Sequence, residues 1–275
     1  MIERTTLEPR YFERMARSIG DKVRLLEWVL PGRVADIGAG GGDLSLALGG
    51  LDDVHTVFAL DDSDDALELL TDVPGVTAVR GSFGEALEAL PGGQVDTIVC
   101  SSVMHEVYSY GGGWAAIDLA LESAWAALRP GGRLVIRDGV MPEAQGCPVR
   151  MWTPDNDLAR EYAALTPHPE LQIIEDADGW WVGSAHAIAE ALLTLTWGRG
   201  SLAREAQERY QLATESEYRL MVEPHGFTQI HSESYTLPGY RDHLRQYRVE
   251  SAQDPNWFPL TNAVWVFEKV DRASL

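Results

Sequence analysis

The sequence predicts an α/β protein: a doubly wound, mostly parallel sheet of seven strands, with a mostly helical insertion after the fifth. Three observations carry this. Val34-Ala35-Asp36-Ile37 reads as a short buried strand that breaks into Gly38-Ala39-Gly40-Gly41-Gly42, and the chain resumes as Asp43–Leu48 with apolar residues at helical spacing. Further short apolar runs alternate with helical stretches as far as residue 138. Finally, Leu128-Arg129-Pro130-Gly131-Gly132 closes a helix with a tight turn and opens a β-rich run.

Composition bounds the function. At 275 residues the chain can hold one large domain or one domain with a sizeable insertion. A net charge of −20 repels phosphate backbones, and Asp242 and Glu250 interrupt the loose arginine cluster at 241–248. No nucleic-acid partner is expected. No apolar run is long enough to span a membrane, and the first residues lack a signal-peptide core. Cys100 and Cys147 form no disulfide framework. A cytoplasmic protein is expected.

The stretch 8–30 reads as a helix, weakened at Gly20 and ended by Pro31-Gly32. Tyr11, Met15 and Lys22 share one of its faces. Two readings stand: a packing helix, or a lid over the glycine turn with these three side chains looking into the site.

At the turn itself, spacing separates two ligands. A dinucleotide fingerprint G-x-G-x-x-G counted from Gly38 needs glycine at 43, where Asp43 stands; counted from Gly40 it needs glycine at 45, where Ser45 stands. The pattern present is Asp36-x-Gly38-x-Gly40-x-Gly42. It resembles the first motif of the class I S-adenosylmethionine (AdoMet) methyltransferases. AdoMet carries an ammonium and a sulfonium and no phosphate, so a carboxylate at the strand end suits it. The resemblance implies cofactor roles for Asp36, Gly38 and Gly40.

The second strand is 54–60, followed by Asp61-Asp62-Ser63-Asp64-Asp65. An acid here can accept both hydroxyls of a ribose, so Asp61 is a binding candidate with Asp62 beside it. Ser63 or Asp64 caps the next helix. The third strand, 76–80, ends at Gly81-Ser82-Phe83-Gly84. The family often places an acid and then an apolar residue there against adenine; Ser82 and Phe83 occupy those places, and Ser82 departs from the common acid.

The fourth strand, 95–100, runs into Ser101-Ser102-Val103-Met104-His105-Glu106. Ligands of open α/β sheets bind at strand carboxyl ends. Ser101 and Ser102 then fall beside the methionine part of AdoMet, and His105 about one turn on. His105 is either a general base or a helix-start residue bonded to backbone; Glu106 orients it or meets substrate. A zinc reading of His105-Glu106 fails because Ser109 stands where H-E-x-x-H needs its second histidine. No metal is expected.

The Pro130-Gly131-Gly132 turn and its strand, ending at Asp138, strongly resemble the fifth strand of the same family. The resemblance covers roughly residues 30–140. Residues 141–220 follow as an insertion, with helices expected at 185–197 behind Ser184, at 202–212 and from Thr214. Phe227–Tyr235 and Ala263–Lys269 read as the last two strands, with a helix expected at 239–247 between them. The expected organisation is a lid at 1–30, an AdoMet-binding core at 31–140, a substrate cover at 141–220 and closing strands at 221–275.

The resemblance implies methyl transfer from AdoMet, leaving S-adenosyl-L-homocysteine. Ser101-Ser102-Val103-Met104 is not the Pro-Pro-aromatic motif of the nucleobase enzymes, and Glu106 alone is not the glutamate pair of the arginine enzymes. A small-molecule acceptor remains, methylated on oxygen or nitrogen. Tyr11, Asp138, Trp152, Trp181 and His186 are its candidate contacts, with Trp180 and Trp197 as further walls, and His105 and Glu106 are the catalytic candidates. A non-catalytic AdoMet-binding protein and, at greater distance, an NAD-dependent oxidoreductase are the alternatives.

Overall fold

The structure is a computed structural model, and it describes residues 19–71 and 73–271. Tyr11, Met15 and most of the expected lid lie outside these residues. The described part of that stretch is one helical turn, Ile19–Lys22, continuing as a 3-10 helix, Val23–Trp28.

Five strands follow in order: β1 (Gly32–Ile37), β2 (Val54–Asp61), β3 (Val76–Arg80), β4 (Val95–Ser101) and β5 (Leu128–Asp138). Their neighbours pair in parallel. The apolar runs are near-continuous because a parallel sheet is covered on both faces; four successive residues of β1 are buried. The chain then forms β6 (Pro148–Trp152), β7 (Ile174–Glu175), β8 (Trp181–Ser184), β9 (Phe227–Tyr235), β10 (Arg248–Ser251) and β11 (Asn262–Lys269).

The seven-stranded sheet has the order β3-β2-β1-β4-β5-β11-β9. The chain moves outward from β1 to β3 and then crosses back to β4. The strand order therefore reverses between β1 and β4, and the carboxyl ends of these two strands flank the crevice where such sheets bind ligands.

Leu128-Arg129-Pro130-Gly131-Gly132 does not stand apart from the sheet as a turn. Leu128 already pairs with Val95 and Arg133 with Thr97, so residues 129–132 bulge between those pairs. Glycine is required at 132: a Cβ there would lie 2.9 Å from the Arg129 carbonyl oxygen and 3.1 Å from that of Asp96.

The chain divides into two compact units. Among the described residues, one holds those up to Asp138, Glu217–Glu233 and those from Val264. The other holds Gly139–Ser216 and Ser234–Ala263. The second is not purely helical. Its helices Asn156–Leu165 and Ala185–Leu195 accompany a four-stranded antiparallel sheet, β10-β6-β8-β7. Val149, Met151, Tyr162, Trp181, Ile188 and Leu192 fill its core. The helix expected at 202–212 stops at Glu205. Glu190 accepts the main-chain N–H groups of Tyr210 and Gln211 and holds that stretch out of helical geometry. The helix expected at 239–247 is shorter, Tyr240–His243, and continues as a 3-10 turn. Among the described residues no helix is long and apolar enough to cross a membrane.

Candidate functional site

A cavity opens at the end of β1. The turn Gly38–Gly41 forms its floor, with Asp36, Asp43 and Leu44 beside it. Ile19, Lys22 and Ser101 complete the lining. The turn needs its glycines. Gly38 has φ +64°, and a Cβ there would lie 2.6 Å from Val103 Cγ2. Gly42, also left-handed, precedes the helix Asp43–Gly49, whose amino end follows the turn.

The charges around this cavity are unusually buried. Asp36 is 1% exposed, and Ser45 Oγ donates to its Oδ2 at 2.6 Å. Burial pushes the Asp36 carboxyl up to about 6, with the Ser45 hydrogen bond and the Lys22 charge opposing the shift. Lys22 is pushed below its ordinary value by burial, with help from Arg137; Asp36, Asp43 and Asp21 pull the other way. Lys22 forms no ion pair among the described residues. The Ser101 hydroxyl is buried without a hydrogen-bond partner among them. A buried hydroxyl in that state at a cavity wall is a natural ligand contact.

Asp61, the last residue of β2, accepts the N–H of Gly40 at Oδ2 (3.0 Å) and of Ser63 at Oδ1 (2.9 Å). Each oxygen retains a second lone pair. Asp62 is exposed. Ser63 caps the helix Asp64–Leu70, accepting from Ala66 N–H. Ser82 is otherwise engaged than expected. Its Oγ and N–H both donate to Glu85 Oε2, closing a capping box on the helix Phe83–Glu88. The hydroxyl proton is thereby committed to Glu85, while its lone pairs remain available as acceptors. Phe83, half-buried, is the first residue of that helix.

At the end of β4, His105 lies in the first turn of the helix Met104–Gly111. Its Nδ1 meets Asp138 Oδ1 at 2.6 Å, and its main-chain N–H donates to Asp138 Oδ2 at 3.1 Å. Both residues are buried. An ionised carboxylate only accepts, so opposite one Nδ1 is the donor of this contact. Asp138 was expected among the substrate contacts. Both its oxygens meet His105. Glu106 is half-buried on the next helical position.

The other expected contacts belong to the second unit. Trp181 is 3% exposed in that unit's core and donates from Nε1 to Asn156 Oδ1 at 3.0 Å. It has no face left for a substrate, because its position on β8 points inward. Trp152 points the other way from its sheet, and the Arg248 guanidinium lies 4.5 Å over its ring. His186 is buried on a helix that is covered all round, its Nε2 3.4 Å from Glu190 Oε1.

Sequence reasoning missed Arg137. The residue before Asp138 is 2% exposed, and its guanidinium reaches Asp21 and Ser102. Nothing local marks it, since those partners are 116 and 35 positions away. Ser45, the partner of Asp36, was read only as a failed glycine.

Comparison with known proteins adds the following. A family model described as a methyltransferase domain matches residues 35–134. No curated protein sequence matches the chain. Among solved structures, the YcgJ protein from Bacillus subtilis aligns at 16% identity with TM-score 0.50, over 93% of this chain and 99% of that one. A protein from Nostoc punctiforme described as a putative O-methyltransferase aligns at 17% and TM-score 0.53, over 98% and 63%. The Burkholderia thailandensis 1,6-didemethyltoxoflavin-N1-methyltransferase, solved with 1,6-didemethyltoxoflavin and S-adenosylhomocysteine, aligns at 16% and TM-score 0.50, over 98% and 94%. At these identities the likeness is one of fold.

Proposed function

We propose that this chain is a class I AdoMet-dependent methyltransferase, a reading supported by its match to a methyltransferase domain over residues 35–134, and that it methylates an oxygen or nitrogen of a small-molecule acceptor with His105 as the base. The observation that carries this reading is the buried His105–Asp138 pair, joined at 2.6 Å at the ends of β4 and β5. When bound, AdoMet supplies a methyl group made electrophilic by its sulfonium and leaves as S-adenosylhomocysteine.

The residues around the β1 turn fit that donor. Lys22 offers a cation for a carboxylate, and binding one there would offset the cost of its burial. Asp36 offers a buried carboxylate in an environment that an ammonium would relieve. Ser101 brings a hydroxyl with no partner of its own. Asp61 has acceptor capacity for a ribose diol.

Asp138 holds the imidazole in one tautomer and stabilises the cation that forms when Nε2 takes the acceptor's proton. The acceptor's heteroatom bonds to the methyl carbon as the bond to sulfur breaks. Holding the two in line supplies much of the remaining acceleration. The strongly acidic chain favours a small acceptor over nucleic acid. The two free cysteines, Cys100 and Cys147, support a reducing, cytoplasmic setting.

The test is a mass-shift screen with AdoMet against phenols, amines and nitrogen heterocycles, with peptide and RNA pools alongside. Turnover on a member of the small-molecule panel is the expected result. Methyl incorporation confined to peptide or RNA would overturn the acceptor class.

A further inference from the structure

Ser102 has φ +60°, and it is the only residue other than glycine with positive φ among those described. Serine rarely adopts this conformation unaided. One residue grips it at both ends. Ser102 N–H donates to the Arg137 carbonyl at 2.7 Å, and Arg137 Nη1 donates to Ser102 Oγ at 2.9 Å. The guanidinium is fixed in turn: Nε lies 2.7 Å and Nη2 2.6 Å from Asp21 Oδ2. Asp21 is also paired with Arg24, whose Nη1 donates to Glu233 at 2.7 Å. A chain of charge thus runs from β9 to the end of β4.

Successive residues of a strand point to opposite sides. At the end of β5, Asp138 turns one way to His105 and Arg137 the other way to Ser102. Ser102 follows Ser101, whose unpartnered hydroxyl lines the cofactor cavity.

We propose that Arg137 is a positioning residue of the cofactor site: by holding Ser102 in its left-handed conformation it fixes where the Ser101 hydroxyl points. The inference rests on reading Ser101 as a hydroxyl that binds AdoMet. Arg137 is not among the side chains that line the cavity. Lysine cannot replace it, because a point charge cannot serve Asp21 and Ser102 through three nitrogens of one rigid plane. Glycine at 102 takes φ +60° without help, so it removes the need for a holder.

That relation gives a test that a general loss of stability does not mimic. AdoMet affinity is measured by calorimetry for the wild type, Arg137→Lys, Ser102→Gly and the double variant. Arg137→Lys is expected to weaken binding by about tenfold in the wild-type background and by no more than about threefold in the Ser102→Gly background. Asp21→Asn frees the guanidinium without emptying its site, and it is expected to repeat the pattern if Arg137→Lys does not fold. Equal losses in both backgrounds, or no loss in either, would overturn the proposal. Ser101→Ala tests the underlying reading separately: unchanged affinity there removes Ser101 from the cofactor site, whatever the cycle shows.

Discussion

At the end of β1 the site is made largely of backbone, whereas at the ends of β4 and β5 it is made of side chains. Glycines 38, 40 and 42 all have positive φ and form a turn that a ligand can approach closely. The other end works through a pair of side chains, His105 with Asp138. A backbone site can be loosened by one methyl group. A side-chain site can lose its chemistry while the cofactor still binds. The two ends should therefore fail in different ways when altered.

The largest expected effect lies at the β4–β5 end. Asp138→Asn keeps the shape of the pair but can present its amide to Nδ1 and so reverse the tautomer. Transfer is expected to fall by about a hundredfold or more with AdoMet affinity little changed, measured by single-turnover kinetics beside calorimetry. Parallel losses of affinity and rate would mean that the two ends do not act separately.

Gly38→Ala attacks the other end. The new Cβ would sit 2.6 Å from Val103 Cγ2 at a backbone angle that alanine resists. AdoMet affinity is expected to drop by about tenfold or more, with a loss of about 1–3 kcal/mol in unfolding free energy. Transfer at saturating AdoMet should be close to that of the wild type. A selective loss of that rate, with affinity intact, would contradict the division.

The smallest effect is one of pH and concerns Asp36. Its carboxyl rises from the ordinary 3.8 to about 6 on folding. Such a group stabilises the fold below the lower value and loses that contribution as pH rises through the upper one. At pH 8 the cost of keeping it ionised is about 3 kcal/mol. Asparagine removes the charge and can still accept from Ser45. Asp36→Asn is therefore expected to stabilise the cofactor-free protein at pH 8 by about 1–3 kcal/mol and to have little effect at pH 4, read by urea unfolding at both. A pH-independent difference would contradict this reading of Asp36.

The same contrast explains what the sequence made legible. The glycine turn could be read because its geometry is local and glycine is the residue that tolerates it. The parallel strands could be read because burial on both faces leaves continuous apolar runs. Ser82 also carried a second signal: with Glu85 three positions on, it forms a capping box on the next helix. The short strands β6, β7, β8 and β10 were hidden because each has five residues or fewer, and β10 returns from nearly a hundred positions beyond β6 to pair with it. Trp181 could not be told from Trp152 by type, since strand alternation alone sends one inward and the other outward. Arg137 had no local mark at all. Its role depends on Asp21 and Ser102, which only the folded sheet brings to it.

The most direct test of this account is His105→Asn, with AdoMet affinity and single-turnover transfer measured on the same preparation. The account predicts an affinity within about threefold of the wild type and a transfer rate lower by about a hundredfold or more. A rate within a few-fold of the wild type at saturating AdoMet would contradict it and remove His105 from the chemistry.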